Sequence, residues 1–293
     1  MIVSLLGATA SGKSTLAIAL AKRFGLTIVN ADPFQTYRGM DILSAAPSEE
    51  EKQEAPHLLY GFQNPDVPYD IAAYQLDARK AIREVQAAGR VPLLVGGSGL
   101  YMRAATFTYE LPKAKEAVDM APYLGLSDGD LHEFLAKLDP KEATKIHQNN
   151  RVRVLRAIEL ILSTGEKKTD LFAKKPEPIE PTLFLWFRLP RKIIYERIDQ
   201  RVDKMAASGL VEEVRSLVSR YGYEAPGLKA IGAKELFPYL KGELTLEECL
   251  LNLKKATRHY VKRQETFFLH QFPYVEVHNE DEAYERVCSF LSR

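Results

Sequence analysis

At 293 residues the chain is longer than one hydrophobic core usually supports, so a main domain with a smaller inserted or appended one is expected. Apolar residues make up 46% and charged residues 27% of it, with no apolar run near the roughly 18 residues of a membrane span, which excludes a disordered chain and a helical membrane protein. The net charge of +1 carries no global basic excess, so a nucleic-acid partner would have to show itself as a local patch.

The chain opens on an apolar run, Ile2 to Leu6, predicted as a β-strand with no leader before it, so a cytosolic location is expected. Gly7, Ala8, Thr9, Ala10, Ser11, Gly12, Lys13 and Ser14 follow and fit G-x-x-x-x-G-K-[ST]. A helix from Thr15 to Phe24, stopped by Gly25, completes the strand–loop–helix context that this motif requires. The chemistry lies in the backbone: such a turn brings successive N–H groups onto phosphate oxygens, and the helix aims its positive dipole end at the same point. Lys13 would neutralise the outer phosphate and Ser14 would ligate a magnesium ion.

Leu26 to Asn30 and Val91 to Val95 are further buried-strand candidates, the second reached after an amphipathic helix from Ile71 to Ala88. Strands separated by helices predict an α/β fold: a P-loop NTPase-like parallel sheet covered on both faces, with its ligand at the carboxyl ends of the strands. Those ends carry Gly7 to Ser14, Asp32 to Gln35 and Gly96-Gly97-Ser98-Gly99, three segments that should share one crevice. Asp32 could hold magnesium through water, take a proton from an attacking group, or merely cap the next turn. The glycines at 96–99 either let a ligand approach the backbone or permit a tight turn, and Ser98 adds a hydroxyl a bland turn would not need.

From Lys113 to Pro181 the pattern becomes charged helices without strand signals, at Asp128 to Leu138, Lys141 to His147 and Arg151 to Leu162. This reads as a small all-helical subdomain, 113–181, inserted into a core made of 1–112 and 182–293. The core resumes with a strand at Leu183 to Phe187 and a helix from Arg191 to Tyr221, on which Arg197, Arg201 and Lys204 form a cationic row facing away from the core. That row is either a solvated face or a cradle for a leaving pyrophosphate. Helices at Lys234 to Leu240 and Leu246 to Phe268 follow, the second with Lys254, Lys255, Arg258, Lys262 and Arg263 off its apolar side, then an edge strand at Tyr274 to Val277. Cys249 and Cys288 sit in helical contexts with no metal-ligand spacing and read as ordinary thiols. With Arg151, Arg153 and Arg156, these basic helices suggest a local surface for a polyanion.

Several segments taken together resemble the tRNA dimethylallyltransferase (tRNA isopentenyltransferase) family over nearly the whole chain. They are the loop at 7–14, Asp-Pro-Phe-Gln-Thr-Tyr-Arg-Gly-Met-Asp at 32–41, Gly-Gly-Ser-Gly-Leu-Tyr at 96–101, and Asn-Arg-Val-Arg-Val-Leu-Arg-Ala-Ile-Glu at 150–159. The series continues with Glu-Arg-Ile-Asp-Gln-Arg-Val-Asp-Lys-Met at 196–205, Ala-Ile-Gly-Ala-Lys-Glu at 230–235 and Lys-Arg-Gln-Glu-Thr-Phe-Phe at 262–268. The resemblance implies transfer of a dimethylallyl group from dimethylallyl diphosphate to N6 of the adenine 3′ to the anticodon, with Mg²⁺, by a monomer. It implies that residues 7–14 hold the diphosphate, that Asp32 is the general base, that Ser98 with Thr9 lies at the diphosphate or the reacting region, and that Arg197 or Arg201 steadies the leaving group. The anticodon stem-loop would meet Asp32, Pro33, Phe34 and Gln35, the helix at Val152, Arg153, Val154, Leu155 and Arg156, then Lys234, Lys262, Arg263, Gln264 and Phe268. The adenine must leave its stack to react.

The chain departs from the family pattern at Pro33, where Ser is usual, at Ser98 for Thr, at Leu43-Ser-Ala-Ala-Pro47 for Gly-Thr-Ala-Lys-Pro, at Ala233 for Tyr and at Phe267 for Trp. Competing readings are an isopentenyltransferase acting on free AMP, ADP or ATP, a P-loop small-molecule kinase, and a non-catalytic RNA-binding module. The basic helices speak against the first, and intact Lys13, Ser14 and Asp32 against the last.

Overall fold

A computed structural model describes residues 1–108, 111, 112, 115 and 117–292; Lys113, where the sequence reading opens the insertion, lies outside them. The chain forms two compact units, one of residues 1–107 with 178–293 and one of residues 108–177. The division falls at 107/108 and 177/178 because Phe107 still belongs to the larger unit, where it bridges to Pro178 and packs on Phe184 and Phe272.

The larger unit starts with β1 (Ile2–Gly7), every residue buried, and α1 (Lys13–Phe24), which begins after Gly12 and ends at Gly25, both in the left-handed region. β2 (Thr27–Asn30) leads into a 3-10 turn at Pro33–Thr36, then α2 (Asp41–Ser44), α3 (Glu49–Glu54) and β3 (His57–Leu58). α4 (Ile71–Ala87), capped by the Asp70 carboxylate on the Ala72 and Ala73 amides, is followed by β4 (Pro92–Gly96) and α5 (Gly99–Thr106). The smaller unit holds α6 (Ala121–Leu124), α7 (Asp128–Leu138), α8 (Pro140–Ala143), α9 (Arg151–Thr164) and α10 (Lys168–Leu171). The helix expected over 141–147 is the single turn α8. The chain returns through β5 (Thr182–Phe187), α11 (Arg191–Ala207), α12 (Leu210–Tyr221), α13 (Ala233–Leu240), α14 (Leu246–Gln271), β6 (Val275–Val277) and α15 (Glu280–Leu291).

The strands form one six-stranded sheet in the order β3-β2-β4-β1-β5-β6, and every pairing is parallel. Both faces are covered, which is why the strands read as unbroken apolar runs. Val3, Leu5, Leu93, Val95 and Leu185 pack with α1 and α15 on one face. Phe184 and Trp186, out of phase by one residue, meet Phe107, Phe268 and Phe272 on the other.

Two departures from the sequence reading have local causes. β3 is two residues long, too short for an alternation signal. The helix expected to run unbroken from Arg191 to Tyr221 is split at Gly209, whose φ of 98° only glycine adopts at no steric cost; the split turns α12 towards α2. In the smaller unit, Leu131, Leu135, Val154 and Ile158 form a separate core between α7 and α9. There the buried Asp139 carboxylate accepts the Glu142 and Thr169 amides and the Thr169 hydroxyl, so its burial is matched by hydrogen bonds.

Candidate active site

The loop between β1 and α1 alternates handedness, with Ala10 at φ 62° and Gly12 at φ 92°. Alternation of this kind turns successive amide N–H groups to one side, the concave nest that binds anions. Two side chains from distant elements hold the loop's backbone. Arg197 of α11 donates Nη1–H to the Ser11 carbonyl at 2.8 Å. The Gln264 amide of α14 accepts the Thr9 N–H at 3.0 Å and donates to the Gly97 carbonyl at 2.9 Å. Ser11 itself is buried, while Ser14 is exposed in the first turn of α1.

Asp32 stands just past the end of β2 because Asn30 fixes the turn. The Asn30 side chain accepts the Asp32 N–H at 2.8 Å and donates to the Asp32 and Leu59 carbonyls. A buried Asn in a strand demands such partners, and Tyr74 adds its hydroxyl to the Asn30 carbonyl at 3.0 Å. The Asp32 carboxylate caps the turn through the Phe34 N–H at 3.0 Å. Burial pushes its carboxyl above the usual range, opposed by the Lys13 charge, by the Phe34 hydrogen bond and by Arg201. Burial also brings the Lys13 ammonium down to about 8, with Asp32 holding it up and Arg201 pressing it lower. Asp32, Lys13 and Arg201 therefore form one electrostatic group.

A cavity of about 270 Å³ opens beside Asp32. Thr9, Asp32, Arg201, Tyr260 and Arg263 make its polar side; Leu43, Ile198, Met205, Ile231 and Leu253 make an apolar wall. The wall is held by α12: Glu213 accepts the Ile42 and Leu43 amides at 2.9 and 2.8 Å, at the start of α2. Leu43 and Ala233, two of the positions that depart from the family pattern, lie in the same apolar cluster, so the wall is aliphatic here.

The three strand-end segments do converge. A Cβ on Gly96 would lie 2.2 Å from the Ala31 carbonyl oxygen, and Gln264 spans from Thr9 to Gly97. Ser98 directly precedes α5, next to Gly97, and its hydroxyl makes no capping hydrogen bond. The arginine row does not face uniformly outward. Arg201 lines the cavity and acts on Asp32, whereas Arg197 grips the loop backbone, because α11 crosses the site along this edge. Pro33, Phe34 and Gln35 form the turn after Asp32, with Phe34 on the cavity; Gln35 spends its amide donor on the Ser44 and Ala45 carbonyls, leaving its oxygen as the free acceptor.

Among the positions expected to touch RNA, Val152, Arg153 and Arg156 are exposed on α9, Leu155 is half-buried, and Lys234, Lys262 and Arg263 are exposed on α13 and α14. Three of these positions turn inward. Val154 and Phe268 are fully buried, the first in the α7–α9 core and the second against Trp186, and Gln264 is 4% exposed and spent on the two loops. The reason is helical period: a contiguous motif on a helix necessarily turns some of its residues inward. Sequence reading missed Asn30, Glu213 and Tyr260. Only Asn30, a polar residue closing a buried apolar strand, left a signal.

The chain matches the IPP transferase family model over residues 35–271 and the isopentenyl transferase model over residues 1–60. It is 37% identical to the tRNA dimethylallyltransferase of Moorella thermoacetica, covering 100% of this chain and 95% of that one. The full-length tRNA isopentenylpyrophosphate transferase of Bacillus halodurans superposes with a TM-score of 0.74 at 33% identity, over 99% of this chain and 95% of its own. A eukaryotic dimethylallyltransferase acting on tRNA superposes with a TM-score of 0.84 at 26% identity, over 99% and 79%.

Proposed function

The chain belongs to the IPP transferase family, and we propose that it transfers a dimethylallyl group from dimethylallyl diphosphate to N6 of the adenine next to the anticodon on its 3′ side in tRNA. The observation that carries this reading is one cavity that combines an apolar wall with a carboxylate under the charges of Lys13 and Arg201.

The nest of residues 7–14 binds the diphosphate, with Lys13 and Arg201 neutralising it and Arg197 keeping the loop in shape. The aliphatic wall of Leu43, Ile198, Met205, Ile231 and Leu253 lodges the five-carbon group and excludes water that would intercept an allylic cation. The flipped adenine presents its amine to Asp32. The nitrogen lone pair forms the N–C bond, the allylic C–O bond breaks, its electron pair leaves with diphosphate, and the amine proton passes to Asp32. A carboxylate whose pKa burial has raised is a stronger base than an exposed one.

The donor set fits a magnesium ion held mainly by phosphate: the exposed Ser14 hydroxyl at the helix start, with Asp32 nearby, suits a cation that takes few protein ligands. When bound, Mg²⁺ supplies charge neutralisation of the leaving diphosphate. The exposed basic residues of α9, and separately those of α14, offer RNA contacts that a free adenylate would not need. The kinase reading leaves the aliphatic wall without a ligand.

The test is to offer purified protein labelled dimethylallyl diphosphate and Mg²⁺ with unmodified tRNA, with AMP, or with no acceptor. Label on tRNA alone is expected. Label on AMP and none on tRNA would overturn the reading.

A further inference from the structure

The resemblance places Gln264 among residues that touch tRNA, yet its side chain is 4% exposed and both ends of its amide are occupied inside the protein. We propose that Gln264 is a positioning residue of the donor site: it ties the β1–α1 loop to the glycine turn after β4 and so sets the shape of the diphosphate nest. The proposal rests on the reading of residues 7–14 as that nest.

Three observations converge on it. The Gln264 oxygen accepts the Thr9 N–H at 3.0 Å and its nitrogen donates to the Gly97 carbonyl at 2.9 Å, so one planar group fixes the spacing of the two loops just beyond the last β1–β4 pair, Leu6 with Gly96. The geometry admits no side chain at position 97 while Gln264 keeps this place, because a Cβ there would sit 2.2 Å from the Gln264 nitrogen. And Thr9, the residue it holds, lines the cavity beside Asp32. An amide serves here where a carboxylate or a hydrocarbon of the same size would not. It must present an acceptor to an N–H and a donor to a carbonyl at the same time; a carboxylate leaves the Gly97 carbonyl without its partner, and a hydrocarbon leaves both backbone groups without theirs. The glycine turn is thus accounted for by the side chain that crosses it.

The tie predicts a coupling that a surface RNA contact would not produce. Binding of inorganic diphosphate with Mg²⁺ to the full chain, measured calorimetrically, reads the nest without requiring transfer, so it remains informative even if tRNA proves not to be the acceptor. Gln264→Ala is expected to weaken diphosphate about tenfold while tRNA affinity, measured by filter binding, stays within about twofold, the loss of one buried hydrogen-bonded group being of that order. Gly97→Ala is expected to weaken diphosphate to a similar degree in the parent chain but to add less than about twofold in the Gln264→Ala background, where the colliding atom is gone. If Gln264→Ala does not fold, Gln264→Glu keeps the acceptor towards Thr9 and sets a second acceptor against the Gly97 carbonyl, and is expected to bind diphosphate more weakly than the parent chain at pH 8. Loss of tRNA affinity with diphosphate affinity intact overturns the proposal. So does an equal penalty for Gly97→Ala on both backgrounds, or parent-like diphosphate binding by Gln264→Glu at pH 8.

Discussion

Two motifs of similar length, Gly7 to Ser14 and Lys262 to Phe268, behave differently once folded. The first runs from the end of β1 through a loop into the first turn of α1, and in the proposed function its working atoms are backbone amides, so the motif can be read residue by residue. The second lies on α14, where the 3.6-residue period sends Lys262, Arg263 and Thr266 outward and Gln264, Glu265 and Phe268 inward. A contiguous helical motif is therefore two half-motifs, a polar surface and a set of supports, and only the first can touch a ligand. Experiments that separate donor chemistry, fold stability and RNA affinity measure how complete that division is.

The largest effect is expected at the loop side of the cavity. Asp32→Asn keeps the Phe34 cap acceptor but removes the base, and should lower single-turnover transfer by about two to four orders of magnitude with donor affinity retained. In the parent chain, transfer should fail as pH falls through a value above the ordinary carboxylate range, since burial raises the Asp32 carboxyl and protonation removes the base. An unchanged rate in Asp32→Asn would take this residue out of the proton transfer.

On the inward half of α14, Phe268→Ala should cost about 3–5 kcal/mol of stability, the usual price of emptying a buried aromatic site. The ring is fully buried and meets Trp186 edge to face at 5.9 Å. Denaturant midpoints read the loss, and the fraction that remains folded should bind tRNA as the parent does. A variant of normal stability with weakened tRNA binding would place Phe268 on the RNA after all.

An intermediate effect comes from Lys13. Its ammonium titrates near 8 in the free protein, and only the protonated form attracts phosphate. Bound diphosphate holds the proton on, so affinity should be level below pH 8 and then fall by up to about tenfold per pH unit above it. Titrations with dimethylallyl diphosphate at pH 7, 8 and 9 check this, and a flat profile would show that the lysine is not the titrating contact.

The sequence makes the parallel sheet, the nest and the Asp32 turn legible, since each is carried by a local pattern: apolar runs, a glycine-spaced loop, a polar residue at a strand end. It does not disclose the break at Gly209, because one glycine within a charged helical stretch is tolerated as often as it terminates. Nor does it show that Arg201 faces the cavity while Arg197 holds the Ser11 carbonyl, as that choice depends on where α11 crosses the sheet. The aliphatic wall is gathered from α2, α11, α14 and the residues before α13, and no local pattern announces a surface assembled from four places.

The smallest effect tests the outward half of α14 alone. Lys262 is exposed, and unlike Arg263 it does not line the cavity. Its contribution to RNA is then a phosphate contact made in water, so Lys262→Ala should weaken tRNA binding only a few-fold and reduce the slope of log affinity against log salt by about one. Diphosphate affinity should not move, since nothing connects this side chain to the nest. Arg263→Ala provides the contrast: at the rim of the cavity it should disturb both ligands. If Lys262→Ala also weakens diphosphate, the two halves of the helix are mechanically joined, and the outward residues help to shape the donor site through Gln264, two positions along the same helix.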